Sequence, residues 1–397
     1  KTVVDEAVNT GKIGNIIKRY KDGLDLQHNG MKFNVEMSFN KDTLKKKLQT
    51  ICAEYEIKAQ NASLEATGHG FKIIKEKEGV TVDYDKTVEQ LYTYVTEKWN
   101  KKANIKLTAT TTVSKPKYTT EDCEKVSNEP MGSYTTEFSV GSSYANRNLN
   151  IQNGAKLING AVVYPGEQYS CNENLYPWTE DNGWHPAGTY VDGGVQDSLG
   201  GGICQVSSTL YNALLRAEIK VVKRFPHSMA VGYVPLSADA ALAGDYKDLV
   251  FENDTDAPIY VQGIYNSGGS ITFNIYGHDT RKAGHSVKYE SKTVKTTPVK
   301  TQTKKDSSKP VGYSEVESSG HVGYVAELWK ITYENGKQVS KELIHTSTYA
   351  MSPTIVVKGT KKASTTTKKD DSDKDDKKSS EKTTKKSTSS KKSKKSE

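Results

Sequence analysis

A short glycine-rich segment ends in a cysteine with the surroundings of a nucleophile. Three glycines, Gly200–Gly202, precede Ile203 and Cys204. After this cysteine, apolar residues recur at the spacing of one helix face, which predicts a helix over Gln205–Ala217. Unpaired N–H groups and the helix dipole favour an anion at a helix N-terminus, so they lower the pKa of a thiol placed there. The pattern therefore favours a reactive thiolate at Cys204.

A thiolate nucleophile usually shares its proton with an imidazole. Of the 8 histidines, His185 and His227 lie nearest to Cys204 in the sequence. The predicted helix and the strand after it lead the chain back toward the helix start, so we predict that His227 is the base. The third, orienting group stays open between Asp239, Asp248 and a backbone carbonyl.

Residues around the cysteine are candidates for holding a substrate. The glycines remove side chains from the approach to the sulfur. Backbone N–H groups from Cys204 to Val206 are candidates to stabilise an oxyanion. The predicted substrate contacts are Arg147, Gly201, Gly202, Gln205 and Ser207.

Composition and charge exclude several classes of protein. A protein that spans a membrane several times is excluded, because no run of about 18 apolar residues occurs. The net charge of +8 comes almost entirely from residues 361–397, which hold 14 Lys and 7 acidic residues. The remainder is nearly neutral, so no nucleic-acid partner is predicted. The 4 cysteines lack metal-ligand spacing, so neither a metal nor a cofactor is predicted.

Hydrophobic periodicity predicts a multidomain α+β chain. Residues 1–30 form a helical lead-in, and residues 30–115 form a small α+β domain whose first strand is Lys32–Phe39. The principal domain, residues 134–278, is mixed α+β and contains the cysteine segment.

The C-terminal part has a different texture. Residues 290–311 are rich in Lys, Thr, Ser and Pro and are predicted to be a linker. Residues 312–360 are predicted to be a small all-β module with a hairpin turn at Glu334-Asn335-Gly336. Residues 361–397 offer almost nothing to bury and are predicted to be a disordered tail.

The principal domain resembles the VanW family from about Tyr134 to Tyr276. The block Gly200–Leu210 is highly specific to that family. The other matching landmarks are Asn146-Arg147-Asn148 with Asn150, Pro165-Gly166-Glu167, His227-Ser228, Tyr233-Val234-Pro235, Asp239-Ala240 and Asp248-Leu249. Residues 30–115 resemble the peptidoglycan-binding domain that often precedes VanW domains, and Gly320–Thr360 resembles a small glycine-rich β module of exported wall proteins.

The resemblance implies a peptidoglycan L,D-transpeptidase with Cys204 as its nucleophile. Its partners would be stem peptides, joined through their third residues by way of a thioester, and the Lys-rich tail is expected to bind anionic wall polymers. The expected location is the extracellular face of a bacterial envelope. Contact with the membrane is expected only through an anchoring helix upstream of Lys1.

Two other interpretations of the same residues stay open. In one, Cys204 is structural, buried or bridged to Cys171, and the chain is a non-catalytic wall-binding or adhesion protein. In the other, the nucleophile is retained but the outcome is hydrolysis, as in a papain-like endopeptidase acting on stem peptides. A cysteine at a helix N-terminus followed by a strand-borne histidine is also that fold's arrangement.

Overall fold

The computed structural model describes residues 2–34, 39–67, 70–99, 106–191, 194–244 and 246–362.

Capping side chains mark three of the helix starts in the N-terminal region. Asn15, Asn40 and Asp83 each accept a hydrogen bond from a backbone N–H three residues later, which satisfies a donor that the helix leaves unpaired. The helices of this region are α1 (Thr2–Asn9), α2 (Ile16–His28), α3 (Lys41–Cys52) and α4 (Tyr84–Thr93).

The strands of the N-terminal region form two antiparallel pairs. Strand β1 (Ser63–Thr67) pairs with β2 (Gly70–Ile74), and β3 (Gly79–Val82) pairs with β4 (Thr111–Ser114). The predicted strand Lys32–Phe39 is not formed at residues 32–34 and 39, and its residues 35–38 lie outside the described part. A short helix, α5 (Thr120–Glu124), leads into the principal domain.

The principal domain is built around one buried helix. Its elements are β5 (Gly132–Glu137), α6 (Ala145–Ile158), β6 (Ala161–Val163), β7 (Gln168–Ser170), α7 (Cys171–Leu175), β8 (Pro186–Val191), β9 (Gly194–Leu199), α8 (Ile203–Ala217), β10 (Lys220–Lys223), β11 (Val250–Glu252), β12 (Ile259–Asn266) and β13 (Ser270–Tyr276). The strand orders are β5-β13-β12-β6 and β10-β11-β7, with β8 and β9 forming a hairpin.

Helix α8 supplies the centre of the hydrophobic core. Val206, Leu210 and Leu214 are fully buried and pack in one cluster with Ile151 of α6 and Phe273 of β13. The prediction of a helix after the glycines is confirmed, and the helix begins two residues earlier than Gln205. The predicted α+β class is confirmed as well, because the chain mixes helices with several small sheets.

Six strands follow the principal domain. They are β14 (His285–Thr297), β15 (Thr301–Pro310), β16 (Ser314–Ser318), β17 (Gly323–Glu334), β18 (Lys337–Tyr349) and β19 (Thr354–Lys361). Asn335 and Gly336 both have positive φ, 49° and 78°, and this turn joins β17 to β18 as the Asn-Gly step predicted.

Residues 290–311 are not a linker. They lie mostly in β14 and β15, and β14 is paired with β17 along almost its whole length. Backbone hydrogen bonds to the neighbouring strand hold these residues, whereas the linker prediction considered only the polarity of their side chains. Exposed Lys and Thr side chains are compatible with such pairing, and threonine favours strands.

The chain divides into two compact units. One comprises residues 1–299 and 320–352 and includes the sheet β14-β17-β18. The other comprises, among the described residues, 300–319 and 353–362, where β19 pairs parallel to β15 and antiparallel to β16. The predicted tail lies outside the described residues from position 363 onward. Within the described part of the chain, no helix is long and apolar enough to cross a membrane.

Candidate functional site

The glycine segment fixes the entry into α8. Gly202 has φ of 108°, and a Cβ there would lie 3.0 Å from Arg147 Cγ, so both conformation and space favour glycine. A Cβ at Gly201 would lie 2.3 Å from the Ala187 carbonyl oxygen, because the segment runs against β8. The buried Asn150 donates hydrogen bonds to the carbonyls of Gly201 and His185. Together these contacts fix Cys204 as the second residue of α8.

Cys204 is a free, half-buried thiol held between backbone groups. Its Sγ lies 3.5 Å from the carbonyl oxygen of Leu242 and 3.4 Å from the amide nitrogen of the same residue. Burial raises the pKa of this thiol, but a side-chain hydrogen bond with His227 and the charge of that imidazole outweigh burial, so the pKa is lowered. The interpretation of Cys204 as half of a disulfide is wrong for this structure.

His227 is oriented by Asp239. The Nδ1 of His227 lies 2.6 Å from Asp239 Oδ2, and the His227 backbone N–H donates to the same oxygen at 2.7 Å. Nδ1 therefore carries a proton, which leaves Nε2 to interact with the Cys204 thiol. Burial lowers the pKa of His227, but its hydrogen bonds with Asp239 and Cys204 raise the pKa to about 9.

Both shifts favour a thiolate–imidazolium pair over a neutral thiol beside a neutral imidazole. Burial alone raises the pKa of Asp239, but the hydrogen bond from His227 and the charge of Arg224 bring it well below its usual range. Asp239 is thus a carboxylate that stabilises the positive charge on His227. This is the electrostatic arrangement in which a cysteine is a nucleophile rather than an inert thiol.

Of the three options for the orienting group, Asp239 is the one that contacts His227. Asp248 instead accepts hydrogen bonds from Ser170 Oγ at 2.6 Å and from the Asn172 amide at 3.0 Å, so it caps the short helix α7. His185, the other candidate base, contacts Asn150 through its backbone and is not among the residues lining the cavity beside Cys204.

Asp239 is itself saturated with hydrogen bonds. Its Oδ1 accepts from Arg224 Nη2 at 2.7 Å and from the Tyr349 hydroxyl at 2.5 Å. The Arg224 side chain is 7% exposed and the Asp239 side chain is 1% exposed, so this is a buried ion pair. Breaking such a pair leaves an uncompensated buried charge and is strongly destabilising.

The cysteine opens into a cavity of about 690 Å³. The β8–β9 hairpin, the loop around Trp178 and the loops after His227 and Ala241 surround it. The polar and aromatic lining residues include Arg147, Trp178, Gln205, His227, Tyr233 and Lys247. A cleft of this size with aromatic walls and a few polar groups is typical of a small-ligand site.

Arg147 and Gln205 are held together at the cavity wall. Arg147 Nη2 donates to Gln205 Oε1 at 2.6 Å. The side-chain nitrogen of Gln205, Nε2, donates to Thr136 Oγ1 at 2.9 Å and to the Glu137 carbonyl at 2.8 Å. Gln205 therefore fixes the guanidinium of Arg147 beside the cysteine.

Two of the residues predicted to contact a substrate lie away from the cavity. Gly201 packs against the backbone of β8, and Ser207 is fully buried with its hydroxyl donating to the Ala240 carbonyl at 2.7 Å. Neither lines the cavity, whereas Gly202 and Arg147 do. Among the backbone N–H groups that could stabilise an oxyanion, that of Gln205 already donates to the Gly202 carbonyl. The backbone N–H of Cys204 is therefore the stronger candidate.

Sequence reasoning missed four residues that contact the site. Leu242 touches the sulfur, Tyr233 lies 3.4 Å from His227 Nε2 through its hydroxyl, and Arg224 and Tyr349 bind Asp239. Tyr233 is one of the VanW landmarks, so that motif is a signal that could have identified it. Tyr349 carries no sequence signal toward the site. Among the described residues, no group of three His, Cys, Asp or Glu side chains could hold a metal ion.

Comparison with protein families finds three matches. Residues 146–276 match the family described as "VanW like protein", residues 1–104 match the "Putative peptidoglycan binding domain", and residues 288–361 match the "G5 domain". The domain architecture expected from the sequence is therefore confirmed. The peptidoglycan-binding match includes the helices of residues 1–30, and the G5 match includes residues 290–311.

Two curated relatives match the chain in part. "Uncharacterized protein YoaR" of Bacillus subtilis (strain 168) is 37% identical over 164 residues, which are 41% of this chain and 53% of that protein. "Vancomycin B-type resistance protein VanW" of Enterococcus faecalis (strain ATCC 700802 / V583) is 28% identical over 116 residues, 28% of this chain and 42% of that protein. The chain thus spans about half the length of these relatives.

Solved structures of G5 domains are among those that match part of the chain. "IgA1 Protease G5 domain structure" is 30% identical and covers 21% of this chain and 96% of its own, with a TM-score of 0.16. "Crystal structure of HP0197-G5" is 23% identical and covers 19% of this chain and 97% of its own, with a TM-score of 0.14. Part of the chain is thus similar to VanW-like proteins, and its flanking regions match two further domain families.

Proposed function

We propose that this VanW-domain protein is a peptidoglycan L,D-transpeptidase with Cys204 as its nucleophile. The single observation that carries the proposal is the chain of contacts from Cys204 through His227 to Asp239 at the edge of a cavity. A structural cysteine needs no imidazole and no buried carboxylate behind it. A nucleophilic thiol is commonly paired with an imidazole that a third group orients.

The first half-reaction is acylation of the enzyme. The thiolate of Cys204 attacks the carbonyl carbon of the third residue in a donor stem peptide, and a C–S bond forms. The C–N bond to the terminal D-amino acid then breaks, and the imidazolium of His227 gives its proton to the departing amine. In this proposal the Cys204 amide at the start of α8 and the Arg147 guanidinium at the cavity wall stabilise the negative charge that develops on the oxygen.

The second half-reaction transfers the acyl group. A side-chain amine of a second stem peptide loses a proton to neutral His227 and attacks the thioester. The new C–N bond joins the third residues of two stems, and the C–S bond breaks to restore the thiolate. If water attacks instead, the product is a shortened stem, which is the hydrolytic alternative.

The flanking domains support a place in the cell envelope. The peptidoglycan-binding and G5 matches favour binding to cell-wall polymer on the outer side of the membrane. In that setting the substrate is already concentrated around the catalytic domain. Anchoring by a helix upstream of Lys1 and binding of anionic wall polymers by the Lys-rich tail belong to the same proposal.

Purified disaccharide-tetrapeptides test the proposal directly. The full chain should convert them to dimers whose mass equals two monomers less one D-amino acid, as read by mass spectrometry. Cys204→Ala should form none. Cys52→Ala is the matched control, because Cys52 is also a free, half-buried thiol but lies in the N-terminal region.

Three results would contradict the proposal. If Cys204→Ala forms dimers at the wild-type rate, the nucleophile is misassigned. If the wild-type chain releases the D-amino acid without forming dimers at any acceptor concentration, the protein is a hydrolase. If it does neither, and Cys204 reacts with a neutral electrophile no faster than Cys52, the non-catalytic interpretation is correct.

A further inference from the structure

The end of strand β18 reaches the loops that carry His227 and Asp239. The Tyr349 hydroxyl donates to Asp239 Oδ1 and accepts a hydrogen bond from the Ser237 amide at 2.7 Å. The next residue, Ala350, donates its N–H to the carbonyl of Ser228 at 2.7 Å, directly after the histidine. One strand end therefore binds both loops of the site.

A second set of contacts reinforces the first. Ser347 Oγ accepts a hydrogen bond from Arg224 Nη1 at 2.9 Å and lies 2.8 Å from Ser237 Oγ. Ser237 has a positive φ of 67°, a backbone conformation that a non-glycine residue adopts only when its surroundings hold it. Tyr349, Ser347 and Ser237 are all at most 3% exposed.

The sheet that carries β18 is packed on the principal domain. Leu328 of β17 belongs to the same hydrophobic cluster as Leu210 of α8. The Tyr289 hydroxyl of β14 donates to the Leu215 carbonyl at 2.7 Å, and Tyr211 of α8 bonds His345 Nε2 at 2.8 Å. The strand end is thus anchored on the helix that presents Cys204.

We infer that Tyr349 is a positioning residue for the Cys204–His227 pair, so that the C-terminal strands complete a site whose VanW match ends at residue 276. The inference rests on the proposed function. Tyr349 does not touch the sulfur or the cavity. It fixes the carboxylate that fixes the imidazole, while Ala350 holds the histidine loop from the other side.

The test is Tyr349→Phe in the full chain, with Tyr333→Phe as the matched control. Tyr333 lies in the same sheet but pairs with Gln338 at the opposite end of the β17–β18 ladder. The charged and titratable groups around the pair include Asp239, Tyr233, Arg224 and His345, together with Arg147 and Lys247 at the cavity wall. All of them remain in both variants.

Tyr349→Phe should lower kcat/KM for dimer formation roughly tenfold through kcat, since one hydrogen bond to a buried charge is lost. The midpoint of Cys204 labelling by a neutral electrophile should move to higher pH. Tyr333→Phe should leave both unchanged. A purely structural role for Tyr349 would lower the melting temperature and leave the labelling midpoint where it is.

If the folded Tyr349→Phe variant keeps the wild-type labelling midpoint and kcat, the inference is overturned. If that variant does not fold, Ser347→Ala provides the same test through Arg224, and unchanged values there also overturn it. Failure of the proposed function can be told apart from failure of this inference. If the wild-type chain makes no dimers, the transferase proposal fails. If its labelling midpoint is nevertheless low and shifts in Tyr349→Phe, the positioning role stands.

Discussion

Replacing Asp239 with asparagine is the sharpest perturbation of the site. The carboxylate accepts from His227 Nδ1, the His227 amide, Arg224 and Tyr349, all within 2.7 Å. Asparagine keeps the size of the side chain but removes its charge and turns one acceptor into a donor. The Arg224 guanidinium and the imidazolium then lose the anion that both of them face.

The expected loss of stability is about 3–5 kcal/mol, the usual effect of leaving a buried charge without its partner. The size of this loss depends on pH in two ranges, one set by each of the two ionised groups. Asp239 has a lowered pKa, so its contribution is complete above the usual carboxyl range and is lost as the pH falls through its folded pKa. His227 has a pKa raised from 6.5 to about 9, so its contribution is complete below pH 6.5 and is lost as the pH rises through 9.

The difference in unfolding free energy between wild type and Asp239→Asn should therefore shrink as the pH rises from 6.5 through 9, by less than the roughly 3 kcal/mol of the full shift, because Cys204 also raises the pKa of His227. Denaturant unfolding at a series of pH values measures it. Labelling of Cys204 gives the second readout. In the variant the thiol pKa should rise, because the imidazolium that lowers it loses its carboxylate partner, so Cys204 should be labelled more slowly at pH 7.

Asp248→Asn is the matched control, since it changes the same type of side chain at the α7 cap. It should leave the labelling midpoint unchanged. The reasoning is refuted if Asp239→Asn labels Cys204 with the wild-type pH profile, or if the stability difference stays constant from pH 6.5 to 9. Either result would mean that the carboxylate does not hold the imidazolium.

Two further substitutions test the walls of the site. Gly201→Ala should lower the unfolding free energy by about 1–3 kcal/mol, because the new Cβ would lie 2.3 Å from the backbone of Ala187. The control Gly232→Ala places its Cβ where no atom lies within 4 Å, so it should change the unfolding free energy by less than about 0.5 kcal/mol. Equal effects of the two would contradict the close approach. Gln205→Met should lower kcat/KM about tenfold, because the hydrogen bond from Arg147 to Gln205 Oε1 is lost. The control Gln168→Met, at the surface, should leave kcat/KM unchanged. An unchanged kcat/KM in Gln205→Met would separate Arg147 from substrate binding.

Local pattern was enough to predict that Cys204 and His227 lie at the same site. The apolar spacing after Cys204 determines the helix, and a helix followed by a returning strand brings His227 back to its start. The turn at Asn335 and Gly336 was predictable for the same reason, because two adjacent residues with positive φ select those side chains.

The errors concern contacts between distant segments. Ser207 lies one helical turn after Cys204, so its side chain was expected near the substrate, but the Ala240 loop covers that face. The strands at residues 290–311 were missed because backbone pairing, not side-chain burial, holds them. Tyr349 is separated from Asp239 by 110 residues, and no local pattern records that they meet.

The peptide group of Leu242 has a consequence for the catalytic cycle proposed above. Its carbonyl oxygen and its amide nitrogen lie almost equally far from the sulfur, at 3.5 and 3.4 Å. A neutral thiol can donate to the first, and a thiolate can accept from the second. The sulfur therefore keeps a backbone partner whether it is protonated, ionised or regenerated after deacylation, and little reorganisation of its surroundings accompanies each change of charge.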